Sequence, residues 1–287
     1  MSPDSAMSGA GKSSDAHIAH KPDRPDERQE TSPDNRPESP GFAPLANDSA
    51  LVWLREGWQD MVRSRFVGVF YGFVFVMMGF MISNVYANYW QLTMGLIAGF
   101  FLVGPFLSTG LYDLSRQLDQ DGNSSLLKSF VCWRRNLGAL GFFSLMLTLA
   151  MIVWARVSLI VFALFSTTDF PTLQIVASTV FSAENIGFLV IWTLLGLVFA
   201  SIIFAIGAIS APMMLDRQSD TISAVVASAQ CLYRSPRPMF LWAATIVLII
   251  GASLLLGFVP LLITAPLIGH ATWRAYKACL NFSTPAP

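Results

Sequence analysis

Between Phe66 and Tyr112 the chain runs for 47 residues without one charged side chain. About 20 helical residues cross a hydrocarbon core of about 30 Å, so this run is long enough for two crossings. Its centre, Asn84–Trp90, is polar and aromatic, the composition favoured at a membrane interface. The run reads as a helical hairpin in a bilayer. The rest of the chain agrees, because 54% of its 287 residues are apolar and 13% charged, outside the range of soluble globular domains.

Three more uncharged runs follow: Asn136–Ala155 with 20 residues, Asn185–Leu215 with 31 and Pro238–Trp273 with 36. The last is short for two crossings unless its second helix continues through Arg274 and Lys277, whose long side chains reach toward the interface. The expected fold is all-α, a polytopic membrane helical bundle of six transmembrane helices, about 66–86, 90–112, 136–155, 187–214, 239–257 and 259–278. Each crossing reverses the side of the next loop. Six crossings put Arg55, Arg63, Arg65, Arg116, Lys128, Arg134, Arg135, Arg217, Arg234, Arg237, Arg274 and Lys277 on one side and Arg156 on the other. Cationic loops favour the cytoplasm, which places both termini there. Val157–Phe181 is expected to be interfacial or re-entrant, within an outer-side insertion 156–186, because a crossing there would move Arg217, Arg234 and Arg237 outside.

The formal net charge of zero is the sum of two unlike parts. Met1–Ala50 carries five basic and nine acidic residues and seven of the sixteen prolines. With almost no large apolar side chains it is expected to be a disordered cytoplasmic tail, and 280–287 a short C-terminal one. No apolar stretch follows a basic start, so no cleavable secretory signal is expected. Ala6–Ser13 approaches a phosphate-binding loop but has Ala6 where the strict pattern needs Gly, and no buried strand launches it. His17 and His20 lack further ligands for a metal. The odd set Cys132, Cys231 and Cys279, with no C-x-x-C, is expected to be free thiols.

A unit recurs three times: a basic, aromatic amphipathic segment, a first span, and a second span with a small residue before Pro near its cytoplasmic end. The segments are Trp53–Arg65, Ser125–Arg135 and Ile222–Arg237, and the pairs are Gly104-Pro105, Ala211-Pro212 and Ala265-Pro266. Pro105, Pro212 and Pro266 each remove an i→i−4 bond and are expected to bend their helices, with small neighbours giving other groups room to reach the freed carbonyl. Gly68/Gly72, Gly95/Gly99, Gly196/Ala200 and Gly207/Ala211 have the spacing of close helix contacts. Trp53, Trp58, Trp133, Trp242, Trp90 and Trp154 are expected as interfacial anchors.

G-F-F-L-V-G-P-F-L-S-T-G-L-Y-D-L-S-R (Gly99–Arg116), A-P-M-M-L-D-R (Ala211–Arg217) and P-L-I-G-H-A-T-W-R-A-Y (Pro266–Tyr276) resemble the recurrent blocks of a bacterial integral-membrane family, domain of unknown function 2189. The resemblance covers about Leu51 to Cys279. It implies a bacterial inner-membrane protein and brings no catalytic residues.

Ionisable groups beside a span are functional candidates by default. Asp113, Arg116, Asp216, Arg217, His270 and Arg274 all follow the three prolines and, if the repeat is real, converge on one cytoplasmic-facing ring. Asp113 and Arg116 are spaced to pair on one helix turn. His270 could relay a proton or meet an anionic headgroup, although a hydrogen bond to a neighbouring helix is the commoner role. Arg156 and Glu184 are placed to pair across the outer insertion. No cofactor, metal or nucleic acid is implied. The bilayer is the expected partner, with anionic headgroups beside 53–65 and 128–135, and a membrane-protein partner or a second copy is open. A non-enzymatic scaffold or assembly protein is the leading reading. The alternative is a permease or carrier for a small uncharged or lipid-like solute, since the apolar runs contain no mid-depth charge.

Overall fold

In a computed structural model of the chain, residues 41–165 and 186–281 are described. The expectations for disorder in 1–40, the Ala6–Ser13 loop, His17, His20, Glu184 and the stretch 166–185 lie outside them. The helices are α1 Ser49–Arg63, α2 Val69–Asn88, α3 Trp90–Asp121, α4 Leu126–Phe130, α5 Leu137–Phe165, α6 Ile186–Gly207, α7 Ser210–Arg217, α8 Thr221–Arg234, α9 Pro236–Leu255 and α10 Leu261–Cys279. This is an all-α membrane bundle. Among the described residues five segments are long and apolar enough to cross a membrane: Val69–Asn88, Leu92–Asp121, Cys132–Phe165, Ile186–Arg217 and Pro236–Leu255. α10, expected as the sixth, is not among them. Its second half carries His270, Thr272, Arg274 and Lys277, and its buried residues cluster there.

Composition alone misplaced several boundaries. Gly41–Phe42 forms a short strand β1 that pairs antiparallel with β2, Leu280–Asn281, so residues 41–50, expected in the tail, belong to the fold. Phe42 and Leu45, the apolar residues of that stretch, pack on the core and draw it in. The third span does not end at Ala155 but continues to Phe165, and residues 156–165 belong to it rather than to the insertion. No Gly or Pro interrupts that stretch, and one exposed Arg does not break backbone hydrogen bonding. The segment expected at Ser125–Arg135 is short and split, as α4 and a 3₁₀ turn Cys132–Asn136.

The three prolines differ in context. Pro105 and Pro266 lie inside continuous helices. At Pro212 the helix breaks instead, at Ala208–Ile209, with Ile209 at φ −128° and ψ 6°. The ring of Pro212 would clash with the Ala208 carbonyl in an unbroken helix; in the first turn of a new helix its missing N–H is not needed. The break is tied down: Asn136 Nδ2 donates to the carbonyls of Met214 and Ser219 at 3.0 and 2.8 Å, and Thr221 Oγ1 donates to Ala139 O at 2.8 Å. Asp220 caps α8, accepting from the Ser223 amide at 2.9 Å.

α10 is the axis of the fold and packs on α1, α2, α3 and α9. Pro266 leaves the Leu262 carbonyl without its helical donor, and that oxygen faces Gly72, where a Cβ would strike it. A Cβ on Gly68 would lie 3.1 Å from His270 Nε2 and from Pro266 Cβ. Gly57 in the same way admits the Ala271 backbone. The pair Gly95/Gly99, by contrast, meets nothing within 4 Å. Two tryptophans expected at the interface are in the core: Trp53 and Trp242 meet edge to face at 5.7 Å, both fully buried. Cys231 and Cys279 are joined as a disulfide with Cα atoms 6.2 Å apart, which corrects the expectation of three free thiols; Cys132 alone is free. Their sequence separation of 48 hid a meeting of the C-terminal ends of α8 and α10.

Candidate functional site

α1 is amphipathic, and its inward face carries a carboxylate, Asp60, only 1% exposed. A charge so buried requires partners. α10 supplies Arg274, whose Nε donates to Asp60 Oδ2 at 2.7 Å and whose Nη2 donates to Asp60 Oδ1 at 2.7 Å. This two-pronged fit is the strong form of the arginine–carboxylate pair. Arg274 Nη2 also lies 2.8 Å from Asp119 Oδ1 on α3, and Trp273 Nε1 donates to Asp119 Oδ2 at 2.8 Å. One guanidinium thus joins three helices.

Ser115 adds a hydroxyl from α3. Its Oγ donates to Asp60 Oδ2 at 3.0 Å and lies 2.7 Å from His270 Nδ1. A serine has one proton to give and the carboxylate can only accept. His270 is therefore the donor at Nδ1, and its Nε2 carries a lone pair. That nitrogen has no hydrogen-bond partner among the described residues, and the ring is 0% exposed. The order of donors runs from His270 through Ser115 to Asp60. A nucleophilic serine needs a base that accepts its proton, and His270 here gives one instead.

The six residues singled out by sequence do not form one ring. His270 and Arg274 share the cluster just described. Asp113 and Arg116 close on each other, with Nε and Nη2 at 2.9 and 2.6 Å from Oδ1, while Gln117 Nε2 donates to Oδ2 at 2.6 Å. Asp216 accepts from the Tyr276 hydroxyl at 2.7 Å, and the Arg217 Nε lies 3.8 Å from the same carboxylate. α10 and α3 are the common threads. Asp60, Ser115 and Asp119 were missed. The segment Trp53–Arg65 holds two acids, Glu56 and Asp60, and nothing local marks the second as the buried one. Among the described residues no group of three or more His, Cys, Asp or Glu is placed to hold a metal ion.

Above this polar end lies a cavity of about 600 Å³ between the α2–α3 and α9–α10 hairpins. Phe75, Ile82, Ile97, Phe100, Leu254 and Phe258 set its apolar character, and no charged residue lines it. Its polar groups are the hydroxyls of Ser83, Tyr86, Thr93, Ser108, Tyr112 and Thr272. A second cavity of about 360 Å³ between α3, α5, α6 and α9 shares Phe75, Phe100, Ser108, Tyr112, Ile268 and Thr272 with the first. The two meet over a floor of hydroxyls. Beneath that floor Tyr276, four residues beyond Thr272, reaches Asp216.

Residues 92–216 match the model of the family described as Predicted integral membrane protein (DUF2189). The match takes in most of α3, all of α5 and α6, and α7 up to Asp216. The resemblance drawn from Gly99–Arg116 and Ala211–Arg217 falls almost wholly within it, whereas α1, α9 and α10, with the block Pro266–Tyr276, lie outside the matched residues. Four members of the buried cluster, Asp60, His270, Trp273 and Arg274, thus lie outside that region, and Ser115 and Asp119 within it. No curated protein and no solved structure matches the chain significantly.

Proposed function

We propose that this protein is a non-enzymatic membrane protein whose bundle holds an uncharged, lipid-like molecule in the cavity between α2–α3 and α9–α10. The cavity itself carries this reading: about 600 Å³, apolar walls, hydroxyls and no charge. Of the two functions compatible with the sequence, the cavity supports the one that handles a small uncharged or lipid-like solute. The buried cluster acts as a staple beneath it, because Ser115 and His270 are fully enclosed and their proton order opposes nucleophilic catalysis.

The scaffold reading keeps one observation of its own. α6 is the most apolar span, and none of the residues in its most apolar window is buried, so it offers an uninterrupted surface to lipid, to another membrane protein or to a second copy. The charge distribution supports a bacterial inner membrane with both termini in the cytoplasm, which requires only an even number of crossings. The three recurring units support a pseudo-symmetric origin, and the composition of 1–40 a disordered head.

Affinity capture of the full chain in mild detergent, followed by lipid and protein mass spectrometry, separates the two functions. The cavity reading expects a defined lipid-like species at near one per chain. A stoichiometric protein partner with no enriched lipid would overturn it. Orientation has its own test: an impermeant maleimide should label Tyr233→Cys, exposed on α8, in inverted inner-membrane vesicles and not in intact cells, and labelling of intact cells would reverse the assigned sides.

A further inference from the structure

We propose that α9 and α10 form a re-entrant hairpin that enters the hydrocarbon from the cation-bearing side, turns at mid-depth and returns, so that neither helix crosses the membrane. The register against α2 measures its reach. Gly68 lies against His270 and Pro266, Gly72 against Leu262 and Gly79 against Phe258, and the Phe80 and Phe258 rings meet at 5.6 Å. The turn joining α9 to α10 therefore lies beside residues 79–80 of α2. From there Met81–Asn88 carries α2 on by eight residues, about 12 Å at 1.5 Å per residue. α2 as a whole has 20 residues, about 30 Å, the thickness of one hydrocarbon core. A tip beside residue 80 stands little more than halfway along it.

The chemistry of the tip agrees with that depth. The α2–α3 turn is polar and aromatic, with Asn84, Asn88 and Tyr89. The α9–α10 turn has no polar side chain between Ser253 and Thr264, and Leu255 is 91% and Leu256 71% exposed. Leucines so bare at a turn fit lipid and not water. Backbone in hydrocarbon must satisfy its polar groups internally, and here every amide of the turn is paired. The amides of Leu256, Gly257, Phe258 and Val259 donate to the carbonyls of Ala252, Leu254, Ser253 and Gly257. Pro260 has no N–H, and the amides of Leu261, Leu262, Ile263 and Thr264 donate to Phe258, Val259 and Pro260 carbonyls. Gly257 at φ 81° allows the tight reversal. The two hydroxyls near the tip also satisfy each other, Ser253 Oγ and Thr264 Oγ1 lying 2.9 Å apart, with further bonds to Ile249 and Pro260 carbonyls.

The hairpin depth has a consequence for the cavity, which rests on the functional reading above. Its part beside Ile82, Tyr86, Thr93 and Ile97 lies beyond the level of the tip, which is set by the Phe80–Phe258 contact. That opening faces the leaflet opposite the cations, so the occupant is an acyl chain of that leaflet.

The test uses the full chain in sealed vesicles of phosphatidylethanolamine and phosphatidylglycerol, with Leu256→Cys and, at the α2–α3 turn, Tyr89→Cys. Both sites are exposed and Cys132 is buried, so the unsubstituted chain sets the background. Tyr89→Cys should react with a membrane-impermeant maleimide from one side. Leu256→Cys should react from neither side, and a bimane placed there by a permeant reagent should be quenched most by nitroxides at the middle of the acyl chain. Reaction of Leu256→Cys with the impermeant reagent from either side, or strongest quenching by a headgroup nitroxide, overturns the hairpin. Val259→Cys repeats the measurement should Leu256→Cys fail to insert. Bound lipid with a reactive Leu256→Cys sinks the hairpin alone; an unreactive one without bound lipid sinks only the cavity reading.

Discussion

α6 and α10 are both about one membrane thickness long, yet they do opposite work. α6 fully buries one residue, Phe188, and its other residues are half-buried or exposed. α10 buries ten of its 19, including Pro266, Gly269, His270 and Trp273, and is held by ions and close backbone contact. Uniform hydrophobicity suits a helix to lipid, where apolar contact adds no driving force between helices. Small residues, a proline and a few charges suit a helix to protein. The organising helix is the less hydrophobic one.

The sharpest break of this contrast is Arg274→Ala. It leaves Asp60 buried without its partner and should cost about 3–5 kcal/mol, as removal of one member of a buried pair does. Arg156→Ala on the exposed α5 face should stay within about 0.5 kcal/mol. Equal melting temperatures in detergent for the two variants would dissolve the distinction.

Next comes Gly72→Ala. Its Cβ meets the Leu262 carbonyl, and the overpacking should cost about 1–3 kcal/mol, whereas Gly99→Ala, facing open space, should be nearly silent. A smaller effect is expected at the hairpin tip, where Ser253→Ala removes one interhelical hydroxyl pair, worth about 0.6 kcal/mol in membrane bundles. Urea or dodecyl sulfate titration resolves that order.

The smallest effect belongs to Asp220, whose side-chain bond with Ser223 lowers its carboxyl pKa below the ordinary 3.8. Because the folded value is depressed, its stabilisation is present above the unfolded pKa and fades as pH falls through the folded one. Asp220→Asn should therefore remove a slight loss of α8 helicity on acidification below about pH 4, read by circular dichroism. An unchanged acid transition would contradict the cap's role.

This contrast also shows what was legible in the sequence. Charge-free runs located α2, α3, α5, α6 and α9 because hydrocarbon imposes an apolar composition on whatever enters it. The small residues before Pro266 and at Gly68/Gly72 announced a close contact, and α2 and α10 make it. Which residues would share a site was not legible. Asp60 sits 214 positions from Arg274, and no local pattern relates them. Trp53 and Trp242 looked like interfacial anchors because a tryptophan near a boundary has the same composition whether it faces lipid or core. The cavity is likewise a property of how two hairpins diverge.

The central claim, that the bundle holds a lipid-like molecule, is tested most directly by filling the space. Ile97→Trp projects into the cavity, whereas Leu92→Trp, exposed on the same helix, lies outside its lining. Native mass spectrometry of both purified variants should show one bound lipid-like species retained by Leu92→Trp and lost from Ile97→Trp, with the two melting alike. Equal occupancy in both variants, or no bound species in the unsubstituted protein, would contradict the account.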